Sequence, residues 1–374
     1  MKTLRRLIYR EIFTSIGFVV LAFLALFFFF DLLEEMKDVG RNFGDYTYTF
    51  GHALMTVAMS LPNHLYELLP IAVLIGSIFV MARFAQSSEF TIMRTSGLGP
   101  WLALRTMLTL GAFFVLLTVL IGDYLAPAAE RFALVAKAQS LGQTSKLGST
   151  GAWLKEKNNG NTLAVNVRTV KADGSMQGVR VFEFDPEGRM VMQIRAQSGQ
   201  VDSRADAWHL TDATITRFTY APTEDGPGAA VERETLATHS WNTAITSEML
   251  VAAVHKPDRM PTLELFKFIQ HLNANEQSAQ KYEIEFWRKV FYPLSCLVMV
   301  VLALPFAYLH FRSGGIAGYV FGGVMAGISF FLLNNVFGYA GNLQNWSPML
   351  TAAAPGMIYS ILSLAAFAWL VIRR

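Results

Sequence analysis

Few residues of this chain are arranged to make or break a bond. The seven histidines include no HExxH spacing, so the paired imidazoles and carboxylate base of a zinc hydrolase are missing. The one cysteine, Cys296, lies inside an apolar run, where a thiolate is costly and no intrachain disulfide can form. Ser77, Ser295 and Ser329 also fall in apolar runs, with no His or Lys nearby on the same helix, which suits helix packing better than nucleophilic catalysis. No GxxxxGK[ST] loop is present to cradle a nucleotide. The expectation is a non-catalytic chain that binds no metal and no cofactor of its own.

Two other kinds of chemistry remain. Lys37, Arg41, Arg131, Lys137, Arg288 and Lys289 lie near the ends of apolar runs. There a cation can hold a phosphate by charge-assisted hydrogen bonds, or simply rest as a solvated or snorkelling charge. The second feature is the polar connector RFAQSSEFTIMRTSGLGPW, residues 83–101. It predicts a short helix capped by Ser87 or Ser88, with Glu89 at the positive end of the dipole, Arg94 near the other end, and Gly97 with Pro100 as the stop. Phe90 and Met93 would share one side. Such a helix either lies on lipid headgroups or docks a separate cytoplasmic motor.

The elements that position these residues are set by composition. Of 374 residues, 53% are hydrophobic and only 16% charged, which excludes an ordinary soluble domain. The net charge of +3 gives no reason to expect nucleic acid as a partner. Apolarity is concentrated at 18–30, 71–81, 107–121, 294–308, 316–333 and 357–372, and each block with its flanks can cross a bilayer. The first run lacks a small-residue cleavage pattern and reads as a retained span rather than a signal peptide. Lys2, Arg5, Arg6 and Arg10 place the N-terminus in the cytoplasm, the connector with Arg83, Arg94 and Arg105 is cytoplasmic, and the chain ends there at Arg373 and Arg374. Arg288 and Lys289 stand at the outer end of span four, against the positive-inside preference. Pro62 and Pro70 should kink span two without breaking it.

Between about 128 and 285 no stretch is long and apolar enough to span, so this region is expected outside the membrane, in the periplasm of a Gram-negative host. Strands are predicted at 162–170, 179–184, 190–196, 208–218 and 231–236, separated by turns at 172–174, 185–188 and 222–228. A sandwich, a jelly roll or an open groove would accommodate them. A helix is predicted from Pro261 and Thr262, with Leu263, Phe266, Ile269 and Leu272 on one face. A second helix runs from near Gln277 into span four. The domains expected are 1–127, holding spans one to three and a coupling helix at about 84–97, then the β-rich region 128–285, then spans four to six at 286–374.

The run ARFAQSSEFTIMRTSGLGPW, the DYLAP that ends span three, the FWRKVFYPLS entering span four and the three-plus-three layout resemble the LptF/LptG family of lipopolysaccharide-export permeases, with the LptG branch the nearer. The resemblance covers essentially the whole chain. It implies an α-helical inner-membrane protein of six spans flanking a periplasmic β-jellyroll-like domain, acting as permease subunit of an ABC transporter in outer-membrane biogenesis. The implied partners are an LptF-like sibling, an LptB-like ATPase dimer that uses ATP and magnesium, LptC, LptA and the lipopolysaccharide itself. It also implies ATPase coupling through Glu89, Phe90, Met93, Arg94 and Gly97, and substrate binding by bases at the outer end of span one, where Lys37 is the closest match. The rival class is a scaffold that couples an ATPase to a periplasmic partner without carrying lipid.

Overall fold

The computed structural model describes residues 2–40, 42–43, 46–140, 151–158, 160–170, 175–202, 207–223, 226–243, 245–246, 249–250, 257–308 and 316–372. The turn expected at 172–174 and the terminal Arg373 and Arg374 lie outside them. The chain divides into two compact units, one of long apolar helices and one rich in strand.

The helical unit begins with α1 (Lys2–Glu35) and α2 (Phe50–Gln86). A short helix, α3 (Glu89–Thr95), leads into α4 (Pro100–Leu120), which passes through a π-turn at Ile121–Leu125 into α5 (Ala126–Ser140). Asp123, Tyr124 and Pro127, expected to end span three, therefore sit inside a continuing helix. Pro127 is tolerated because it follows the π-turn, where the Ala126 amide already bonds the Ile121 carbonyl and the next carbonyl, that of Gly122, is taken by a side chain instead of a backbone amide. Pro62 and Pro70 leave α2 unbroken.

α6 (Thr262–Ala274) belongs to the strand-rich unit, and the helical unit resumes with α7 (Gln280–Phe291), α8 (Ser295–Ala303) with a 3-10 turn Leu304–Tyr308, α9 (Ile316–Leu343) and α10 (Pro348–Ile372). Five helices are individually long and apolar enough to cross a membrane, and α7 with α8, bent by 47°, makes a sixth span if counted as one. The bend falls at Pro293, which cannot donate a helical hydrogen bond.

α2 is the hub of this unit: 78% of its most apolar window is buried, against 6% for α1. α1 nonetheless packs tightly along one stripe, Ile8, Ile12 and Ile16. The closest approach is at Gly76, where an added Cβ would stand 2.8 Å from the Ile16 backbone nitrogen. Cys296 is buried, with its Sγ 3.4 Å from Thr118 Oγ1. Ser329 donates back to the Ala326 carbonyl of its own helix and also meets the Tyr359 hydroxyl of α10, while Ser295, the first residue of α8, donates to the Tyr292 carbonyl in the break before it.

In the second unit, short strands β1 (Asn42–Phe43) and β2 (Tyr46–Thr47) pair with each other. The main sheet is β3 (Ala152–Asn158), β4 (Asn161–Val170), β5 (Ser175–Phe184), β6 (Met190–Asp202), β7 (Ala207–Thr223) and β8 (Gly226–Asn242). Each strand pairs antiparallel with its sequence neighbour, so the order is 3-4-5-6-7-8. Leu154, Val165, Val181, Ile194 and Ile215 are buried and fall on one face.

The strand-rich unit differs from the sequence reading in three ways. β3 was not expected, because Lys155, Glu156 and Lys157 dilute its alternation. Its outer edge is instead secured from beyond α6: Asn275 Oδ1 accepts the Lys157 amide at 2.7 Å and Gln277 Nε2 donates to the Lys155 carbonyl at 2.8 Å. The stretch 222–228, expected as a turn, supplies the ends of two long strands, with Pro222 opposite Pro227 and Thr223 opposite Gly226. Proline is tolerated there because it sits at strand ends. In α6 the buried stripe is Leu265, Phe268, Ile269 and Leu272, while Leu263 and Phe266 are exposed. The true stripe follows i, i+3, i+4, i+7, whereas the predicted one stepped by three throughout and drifted around the helix.

His271 is buried beside this stripe, and desolvation lowers its pKa below 6.5 against the opposing pull of Glu156. A neutral histidine in the folded state means that the unfolded chain binds more protons on acidification. Stability carried by α6 is therefore full above pH 6.5 and declines as pH falls below it. His271→Gln is expected to flatten that decline, measured as hydrogen exchange of the α6 amides between pH 7.5 and 5 after correction for intrinsic rates.

Candidate functional site

α3 is only seven residues long, below the length at which a helix is stable alone, so packing must hold it. Phe90 and Met93 are 3% and 4% exposed. The Phe90 ring stands 5.0 Å from the Tyr308 ring at 74°, and the Arg94 guanidinium lies 5.2 Å over the same tyrosine. Tyr308 ends the turn that follows α8, so α3 is fastened to the far end of the broken span.

The start of α3 differs from the expected serine cap. Ser88 takes a left-handed conformation with φ 59° and makes no side-chain cap bond, and Ser87 Oγ donates back to the Arg83 carbonyl at 3.0 Å. The serines serve the tight exit from α2 instead. At the other end Gly97 has φ +102°, which lets the Leu98 amide reach the Met93 carbonyl at 3.0 Å. Leu98 is buried beneath the turn. Glu89 is exposed, as are Ile92 at 63% and Trp101 at 76%. The outer surface thus combines a carboxylate with two large apolar side chains over a fixed base.

The expected phosphate-holding bases occupy unlike environments. Lys37 is exposed in the turn after α1, and Arg131 is exposed on α5. Arg41 lies outside the described residues, as does the side chain of Lys137. Arg288 donates from Nη1 to Glu285 Oε1 at 2.7 Å and from Nη2 to Asn335 Oδ1 at 3.5 Å, tying α7 to α9. The Lys289 side chain is 6% exposed. Its Nζ donates to the Gly122 carbonyl at 3.4 Å, stands 4.0 Å from Asp123 and lies 5.8 Å from the centre of the Tyr66 ring. This seat places Lys289 in helix packing rather than on an accessible surface. It ties α7 to the π-turn, whose widened ring presents a carbonyl that an ordinary helix would use internally.

Two further clamps escaped the sequence reading. Asp31 on α1 meets His64 Nε2 on α2 at 2.7 Å, accepts from Ser60 Oγ at 3.1 Å, and the imidazole stacks on Phe27 at 4.7 Å. Glu11 Oε2 on α1 meets Arg83 Nη2 on α2 at 2.7 Å. The available signal was an acid between apolar residues at Asp31 and an acid next to Arg10 at Glu11, but partners 33 and 72 residues away cannot be read from spacing. Among the described residues no group of three or more His, Cys, Asp or Glu could hold a metal ion.

Comparison with known proteins follows the same outline. The family model described as "Lipopolysaccharide export system permease LptF/LptG" matches residues 6–372. The chain is 27% identical over 373 residues to the Lipopolysaccharide export system permease protein LptG of Escherichia coli K12, an alignment covering 99% of this chain and 98% of that protein. It is 23% identical over 377 residues to the LptG protein of Haemophilus influenzae, covering 100% of this chain and 99% of that protein.

The seat of Lys289 depends on the absence of a side chain at Gly122, because an added Cβ would stand 2.5 Å from the Tyr66 ring. Gly122→Ala is expected to lower the thermal unfolding temperature of the detergent-solubilised protein, and Tyr66→Leu in the same chain is expected to recover part of the loss. Independent, additive effects of the two substitutions would contradict this packing.

Proposed function

We infer the working role of this chain from the family it belongs to, the LptF/LptG permeases of lipopolysaccharide export. The physical observation that carries the mechanism is α3: a short helix fastened inward by Phe90 and Met93 while Glu89 and Ile92 face out. Such a part conveys force from a partner without taking up the motion itself. Its partner is a separate cytoplasmic ATPase dimer, LptB-like, that uses ATP and magnesium, and the two permease halves are this chain and an LptF-like sibling. Both termini are cytoplasmic, and the strand-rich unit is periplasmic, where it passes lipid toward LptC and LptA.

The need for a motor follows from the cargo. Each acyl methylene drawn from a bilayer into water costs about 0.8 kcal/mol, so a lipid with several chains requires both external work and a sheltered path. α1 suits the entrance, since Phe18, Leu21, Phe29 and Phe30 are exposed along its length and only one stripe packs on its own chain. Lipopolysaccharide enters beside α1 and is received by the strand-rich unit. Lys37, Arg41, Arg131 and Lys137 hold its phosphates, and Arg288 and Lys289 fix α7 against α9 and the π-turn. Residues 1–127 and 286–374 form the membrane domain and 128–285 the periplasmic one.

Photo-crosslinking from Val181 and Ile194, on the apolar face of the sheet, is expected to capture lipopolysaccharide in the working complex. An intact, ATP-hydrolysing complex that captures none would favour the scaffold instead. Glu89→Lys is expected to leave the chain folded while reducing ATPase association and export, since it reverses the one charge on the outer face of α3. Normal association and export in that variant would remove the coupling role.

A further inference from the structure

The main sheet sorts its charges by strand parity. Glu156, Glu183, Asp202, Glu232 and Glu234 share the face of Leu154, Val181 and Ile194, by the paired positions of successive strands. Arg217, on that same face, is neutralised by Glu234 at 3.3 Å. The opposite face carries Lys155, Lys157, Arg168, Arg180, Arg195 and Arg233. Lys157 is taken up by Glu276 at 2.6 Å.

Arg180 and Arg195 are direct cross-strand partners, a pairing of like charges that ordinarily weakens a sheet. Both are exposed, as is Arg168 on the next strand, and among the described residues none of the three has a carboxylate partner. Beside them Trp153, 52% exposed, stacks on Phe182 with ring centres 6.1 Å apart and 15° between planes. Asn166, directly between Trp153 and Arg180 in the register, keeps its amide on the Ala152 carbonyl at 3.2 Å and so holds the strands level beneath.

We propose that this face, built from Trp153, Phe182, Arg168, Arg180 and Arg195, binds the phosphorylated saccharide head of the exported lipid. The guanidinium fork matches phosphate oxygens two at a time, and a gathered set of uncompensated guanidiniums is stabilised when an anion arrives. The flat aromatic pair offers an apolar shelf to the C–H face of a sugar ring. An acidic protein surface would answer the arginines but leave the exposed tryptophan without use. Acyl chains and phosphates are thereby kept apart, because the acids rimming the apolar face repel phosphate while the basic face attracts it.

The proposal rests on the export reading above, and one preparation separates the two. The probe is the lipid-free, fully deacylated phosphorylated oligosaccharide of lipopolysaccharide, labelled with a fluorophore, titrated into the detergent-solubilised complex and followed by anisotropy. Binding is expected to weaken about tenfold or more in the Arg180→Gln/Arg195→Gln variant, to weaken similarly when the probe is dephosphorylated, and to fall in Trp153→Ala for both forms of the probe. These side chains are on the surface, so an unchanged unfolding temperature verifies that the variants are folded. Binding indifferent to the arginines, or capture of an acidic protein on this face in place of the oligosaccharide, overturns the proposal. Lipopolysaccharide copurified with the same complex is assayed in parallel: its presence alongside indifferent oligosaccharide binding sinks only this inference, and its absence sinks the export reading.

Discussion

Burial of Phe90 and Met93 against the end of the broken span is what makes the rest of the helical unit usable. A helix of seven residues has no stability of its own, so its outward surface exists only while the inward one is packed. The same contact joins three distant parts of the chain, since α3 leaves α2, feeds α4 and rests on Tyr308. α3 is therefore anchored beside α2, whose apolar stretch is the most buried among the five long helices, rather than carried in a loop.

The polar residues within the apolar helices follow from a second constraint. An isolated charge in hydrocarbon is costly, so each must meet a partner, and the partner fixes which helices lie together. Glu11 with Arg83 and Asp31 with His64 fasten α1 to α2 at two levels, on either side of the Gly76 crossing. Arg288 and Lys289 fasten α7 in two directions, toward α9 and toward the π-turn. Two adjacent bases at the start of a span are thus met by dedicated acceptors within the chain. Most of α1 is left apolar and uncovered by its own chain.

Much of this was legible in the sequence, and the failures are physically specific. Long apolar blocks reveal membrane helices because hydrophobic length is itself the constraint, and β-branched and aromatic alternation marked β5, β6 and β7, with turn chemistry at 185–188 separating the first two. β3 was hidden because an edge strand carries charges on its outer positions, and its supports at Asn275 and Gln277 come from more than a hundred residues away. The stop at Gly97 was readable from local chemistry, whereas the serine cap failed because Ser88 spends its conformation on the turn. Strand order, the tie between Lys289 and Gly122, and the split of acids and bases between the two faces became visible only once the register was known.

Movement of lipid by this chain under the force of a partner is the central claim. The most direct measurement is transfer of lipopolysaccharide out of proteoliposomes by a reconstituted complex containing this chain, followed with ATP and with a non-hydrolysable analogue. Release that requires hydrolysis, and that stops when this chain is omitted, is the predicted result. Hydrolysis at the full rate with every lipopolysaccharide molecule still in the bilayer would contradict it.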